Sequence, residues 1–249
     1  LLHGHTLDRR VWDGVVERLH ERGARTLCPD LRGHGRSLRP ERGYHWSHHA
    51  ADMAAVLDAA GVGRCAVVGF SLGGGVALEM AVTMPSRVAA LVLVSPVLPD
   101  RRWEPAFLAN LKEVARTIRT EGVRAAMLGP WLGSPLFAPS LAVPGVRERL
   151  AAILGDFPGA DYLATSVDAP ARDWTLPERL GEIGAPTLVI SPELDMVGFR
   201  GYAEEISAGV PAARLERPPG RGHLLPMEDP VGLADLVAEF LRGRGPTGS

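Results

Sequence analysis

Between Cys65 and Met80 the chain changes character in a way that limits its possible folds more than any other stretch of its 249 residues. The apolar, β-prone run Cys65-Ala66-Val67-Val68 leads directly into Gly69-Phe70-Ser71-Leu72-Gly73. A helical pattern through Val76, Ala77, Leu78 and Met80 to Pro85 then follows without a linker. A serine placed on such a strand-to-helix turn sits in a strained backbone conformation, and the residues two before and two after it are crowded, so both must be small. Gly69 and Gly73 meet that need, and Gly74 and Gly75 let the helix lie close to the sheet. Glycine-rich turns also build dinucleotide sites, but the spacing here is not G-x-G-x-x-G. Ser71 is therefore the expected nucleophile.

The flanking sequence supplies a sheet to carry that turn. Short β-rich runs at Arg25 to Cys28, Arg64 to Gly69 and Val88 to Val94 alternate with helical patterns, one of them over Ser47 to Ala60 and one after Ser71. Strand, helix, strand at this rhythm predicts a mostly parallel sheet with helices on both faces. Ser47 is the expected N-cap of the first of these helices and Gly61 its stop. The rhythm resumes at Thr187 to Ser191. A last helix starts at Asp229-Pro230, with Val231, Ala234, Val237 and Leu241 as its expected buried face.

From about Pro99 to Asp173 the strand signal is lost. Phe107, Leu111, Val114 and Ile118 mark one helical face, and Pro130, Pro135, Pro139 and Pro144 cut the following stretch into short pieces. The reading is a core of residues 1–98 and 174–249 interrupted by a helical lid at 99–173.

Composition removes several function classes. Twenty-seven basic against 29 acidic side chains leave a net charge of -2 with no basic stripe, so no nucleic-acid partner is expected. No run approaches 18 continuous apolar residues, so no membrane partner is expected either. Cys28 and Cys65 lie in apolar runs and read as buried, reduced and inert. His45, His48 and His49 share a helix face at i, i+3 and i+4, but only Asp52 lies near enough to complete a ligand set. They read as an exposed helix start, and no metal is expected. His34 and Arg36 read as turn residues after a strand.

Taken together, Leu1-Leu2-His3-Gly4 followed by Trp12, the segment Asp30-Leu31-Arg32-Gly33-His34-Gly35-Arg36-Ser37, the Ser71 turn, Ala185-Pro186-Thr187-Leu188-Val189-Ile190 and Gly222-His223 make the chain resemble the α/β-hydrolase superfamily. The likeness is to its lid-bearing esterase, lactonase and cofactor-free haloperoxidase-like members. It implies the α/β-hydrolase fold and a base and an acid for Ser71, because a neutral hydroxyl needs both to act as a nucleophile. His223, in a loop just before the last helix, stands where the family carries its base. The strand Thr187 to Ile190 is followed by two carboxylates, Glu193 and Asp195, and the family's placement selects Asp195. Two backbone N–H groups should face the developing oxyanion: Leu72, which follows the nucleophile, and, by resemblance, His5. The family also carries a β-hairpin ahead of the strand that ends at His3-Gly4. Its absence here predicts a chain cut short at its start, with an uncovered, aggregation-prone edge along Arg25 to Cys28.

The implied activity is a serine hydrolase that opens a carboxylic ester or lactone through an acyl-enzyme at Ser71, with a small-molecule acyl substrate and no cofactor. A carbon–carbon bond hydrolase or a cofactor-free perhydrolase would use the same three residues, and a non-catalytic ligand receptor could stand on the same fold. Trp103, Phe107 and Trp131 are the expected pocket residues, and Arg101, Arg102 and Arg172 the arginines available to hold a substrate carboxylate. Because the triad sits on core loops, removing the lid is expected to change selectivity rather than the reactivity of Ser71. A cytoplasmic location is expected, and assembly into a homo-oligomer is compatible with this reading.

Overall fold

A computed structural model describes residues 1–165 and 172–243. The far end of the expected lid, 166–171, and the final stretch 244–249 of the expected core lie outside the described residues. Four parallel strands, β1 (Cys65–Phe70), β2 (Val88–Val94), β3 (Thr187–Ile190) and β4 (Ala213–Glu216), form one sheet in that order. Val68 pairs with Val92, Val92 with Leu188 and Leu188 with Arg214, so the C-terminal ends of the strands come out on one side. Successive strand residues point to opposite faces, yet Leu91, Val92, Leu93 and Val94 are all fully buried. Both faces of the sheet are therefore covered.

The helices are α1 (Asp13–Glu21), α2 (Trp46–Ala59), α3 (Leu72–Thr83), α4 (Pro105–Glu121), α5 (Val123–Ala126), α6 (Val146–Gly155), α7 (Val197–Gly209), α8 (Leu225–Glu228) and α9 (Pro230–Arg242). α3 packs on β1 and β2, α7 on β3 and β4, and α1 against α9. Between β2 and β3 the described residues from Asp100 to Thr165 form helices and turns and no strand.

Three local expectations are corrected. α2 begins at Trp46, and its N-cap is His45, whose ring accepts the Ser47 N–H. On α9, Val231 faces solvent at 51% exposure, while Leu233 and Phe240 join Ala234 and Val237 in the core and Leu241 is half-buried. Arg25 to Cys28 runs alongside the start of the chain but forms no ladder. Its contact there is the Leu1 amino group donating to the Leu27 carbonyl at 2.7 Å. Leu2 alone bridges to β1 on that side, its N–H donating to Val68 and its carbonyl accepting from Phe70. Between this stretch and β1 lies an apolar slot of about 390 Å³, lined by Leu1, Leu27, Met53, Val56, Cys65 and Val67 among others. Among the described residues no strand forms a ladder with the β-prone run 25–28.

Candidate active site

Ser71 follows β1 and precedes α3, and its backbone takes φ 52° and ψ -112°, the left-handed side of the map that non-glycine residues avoid. Close packing enforces this turn. A Cβ on Gly69 would lie 2.2 Å from the Gly73 carbonyl oxygen, and one on Gly73 would lie 2.3 Å from that of Leu2. The turn holds Oγ at the C-terminal end of the sheet, where the loops after β3 and β4 also arrive.

His223 and Asp195 come from those loops. His223 Nε2 lies 3.2 Å from Ser71 Oγ, and Nδ1 lies 2.9 and 3.0 Å from the two carboxylate oxygens of Asp195. All three side chains are buried. With the proton on Nδ1, the ring donates to Asp195 and leaves the Nε2 lone pair for the serine hydroxyl. Glu193 points elsewhere. Its exposed carboxylate accepts the Gly220 N–H at 2.8 Å and bonds neither His223 nor Ser71.

Among the described residues the N–H groups of His5 and Leu72 meet no intramolecular acceptor. Both residues line the same cavity as Ser71 and His223. The turn that carries His5 closes by the Leu7 N–H donating to the Gly4 carbonyl, and it forces Thr6 to φ 63°. For a β-branched residue that is a costly conformation, and it persists only when its surroundings hold it. The Thr6 N–H donates to His34 Nε2 at 3.2 Å, Trp131 Nε1 donates to Thr6 Oγ1 at 2.6 Å, and the Thr6 hydroxyl donates to the His5 carbonyl. His34 thus does more than shape its own turn. Burial, followed by the neighbouring His3, pushes its pKa well below 6.5, and with Nδ1 donating to the Arg32 carbonyl at 2.9 Å the neutral ring leaves Nε2 as the acceptor.

The cavity holds about 580 Å³ and is mostly apolar. Trp103, Phe107 and Trp131 all line it. Arg101, Arg102 and Arg172 do not, which corrects the expectation of an arginine for a substrate carboxylate. Arg101 pairs with Glu205, Arg172 bridges Glu79 and Asp100, and Arg102 gives its carbonyl to the Tyr202 hydroxyl.

Sequence reasoning missed Asp161. Its carboxylate lies 2.5 Å from His5 Nε2. Burial pushes the Asp161 carboxyl up, but His5, His34 and the Tyr162 N–H outweigh it and hold the pKa at about 2. His5, His34 and Asp161 form the one group among the described residues with enough donors close together for a metal ion. They suit one poorly. The His34 lone pair already accepts the Thr6 N–H, and the His5 to Asp161 separation is that of a hydrogen bond. His45, His48 and His49 do not form such a group: His45 caps α2 and His49 is buried, with its pKa down at about 4.

A parallel sheet, a serine on a strained strand-to-helix turn at its C-terminal edge and a histidine and carboxylate from later loops define a class, and residues 1–230 match the model of the alpha/beta hydrolase fold family. The chain belongs to that family. A non-heme haloperoxidase from Rhodococcus erythropolis is 42% identical over 231 residues, covering 89% of this chain and 83% of that protein. A thermophilic esterase from Thermogutta terrifontis superposes with a TM-score of 0.81 at 27% identity, covering 97% and 88% of the two chains. A hydrolase from Pseudomonas aeruginosa PA01 superposes at 0.77 and 29% identity, covering 96% and 88%. No helix among the described residues is long and apolar enough to cross a membrane.

Proposed function

We propose that the protein is a serine hydrolase acting on a carboxylic ester or lactone. The observation that carries this reading is the unbroken series Ser71 Oγ, His223 Nε2, His223 Nδ1 and Asp195 carboxylate, all within 3.2 Å and buried beside an apolar cavity. Ser71 Oγ attacks the carbonyl carbon as its proton passes to His223 Nε2, and Asp195 stabilises the imidazolium. The negative charge on the former carbonyl oxygen is met by the His5 and Leu72 N–H groups, worth about 3–4 kcal/mol of barrier each. Collapse of the adduct expels the alkoxide, which takes the proton from His223, and water then cleaves the acyl-enzyme by the same route. Trp103, Phe107 and Trp131 contact the acyl or alkoxy group, and the helical segment over them acts as a lid that sets substrate choice.

A second reading is favoured by the 42% identical haloperoxidase. In it, hydrogen peroxide replaces water at the acyl-enzyme and a peracid leaves. The two readings share Ser71 and separate at the second step. Turnover of an activated ester, followed by a panel of esters and lactones with and without added peroxide, tests both. A single acylation without turnover would favour a binding protein on this fold.

A further inference from the structure

The loop that carries His223 is gripped on both sides by a pair of buried side chains that take no part in the chemistry above. The Gly222 N–H donates to Glu228 Oε2 at 2.8 Å, and the Leu224 N–H donates to Ser140 Oγ at 3.1 Å. The two acceptors are joined, because the Ser140 hydroxyl donates to Glu228 Oε1 at 2.5 Å. Ser140 is fully buried and Glu228 is 8% exposed. Gly222 shows how tightly the parts fit: a Cβ there would meet Ser140 Oγ at 2.8 Å and Pro139 at 2.9 Å. Arg149 on α6 adds a bond to the Met227 carbonyl in the same short helix, α8.

We infer that Ser140 and Glu228 are positioning residues that fix the His223 backbone, and so the distance from Nε2 to Ser71. Ser140 lies in the helical segment between β2 and β3, whereas Glu228 lies in the core, so the catalytic base is held in register by the lid. Neither side chain bonds the His223 ring or Ser71. Their effect reaches the chemistry through the two amides on either side of the base. A displacement of the order of 1 Å at that base is enough for a loss of about 100-fold.

This inference rests on the hydrolase reading, and the test separates the two. Ser140→Ala and Glu228→Gln are made in the full chain, with kcat and KM measured on an activated ester and the fluorophosphonate labelling rate measured alongside. Ser140→Ala should lower kcat about 10- to 100-fold with KM nearly unchanged. Glu228→Gln, which keeps an acceptor for Gly222, should lose less than Glu228→Ala. In a His223→Ala background, adding Ser140→Ala should cost no further labelling rate, because a positioning residue acts only through the base it positions. An equal fractional loss in both backgrounds, or an unchanged kcat in Ser140→Ala, would overturn the inference. Amide exchange at Gly222 and Leu224 gives a readout that does not depend on activity: protection in the parent chain and its loss in Ser140→Ala is the expected result. If the parent chain takes no label, the hydrolase reading falls while exchange at these amides still decides whether the clamp exists.

Discussion

At the scale of single residues, the three side chains of the proposed triad should behave as one unit. Ser71→Ala should lower ester turnover by about 10⁶, by analogy with serine proteases, and His223→Ala by a similar factor. Asp195→Asn should cost about 10⁴, because it leaves His223 in the wrong tautomer. Glu193→Gln should change kcat by no more than about twofold, since its contact is the Gly220 N–H. Steady-state kinetics on the four variants checks this, and a larger loss in Glu193→Gln than in Asp195→Asn would reverse the choice of carboxylate. Backbone crowding gives a separate prediction. Gly73→Ala sets a methyl 2.3 Å from the Leu2 carbonyl oxygen, so it should destabilise the fold by about 3 kcal/mol or more, visible as a fall in Tm.

At the scale of elements, the slot between 24–29 and β1 has an apolar lining, and among the described residues Leu2 alone bridges to β1 on that side. A segment of alternating apolar residues added ahead of Leu1, continuing the parallel register set by Leu2 and Gly69, should fill it. Each kcal/mol gained should raise Tm by about 2–4 °C in a chain of this size. The same length of charged sequence should give no rise, and equal Tm values for the two extensions would contradict this view of the slot. The helical segment between β2 and β3 also proves less separable than its sequence suggests. Trp131, Ser140 and Asp161 bond Thr6, the His223 loop and His5 respectively, so a folded variant lacking this segment should label slowly at Ser71, contrary to the expectation that the core loops suffice.

These contacts also mark where the sequence was legible. The turn at Ser71 could be read because its requirements are local: a strand, two small residues and a helix within about fifteen positions. The loops bearing Asp195 and His223 could be placed by resemblance to the family, which carries its acid after such a strand and its base before the last helix. Ser140, Asp161 and Glu228 carry no local pattern. Ser140 meets Glu228 across 88 positions and Asp161 meets His5 across 156, so only the folded chain brings them together. At Arg25 to Cys28 the β-prone run forms no ladder among the described residues, since β propensity describes a residue's fit to a sheet and does not itself supply a partner.

At the scale of the whole molecule, buried histidines set the response to acid. Burial is the largest cause holding His3, His34, His45 and His49 below their ordinary 6.5, with His49 at about 4. The unfolded chain therefore binds protons near pH 5 that the folded chain refuses, and stability that is complete above pH 6.5 is lost as pH falls towards 4. Asp161, held at about 2, adds stability above about pH 3.8 and loses it only below, outside this window. Thermal melts at pH 7.5 and 5 should show Tm lower at pH 5 by at least about 5 °C, and a flat profile would contradict the burial of these rings. Whether the assembled site is an acyl-transfer centre is decided most directly by exposing the intact chain to a fluorophosphonate and reading the adduct by mass spectrometry. The account predicts one adduct per chain, located on Ser71 and absent from Ser71→Ala. No adduct on the folded parent chain, or one that persists in Ser71→Ala, would contradict it.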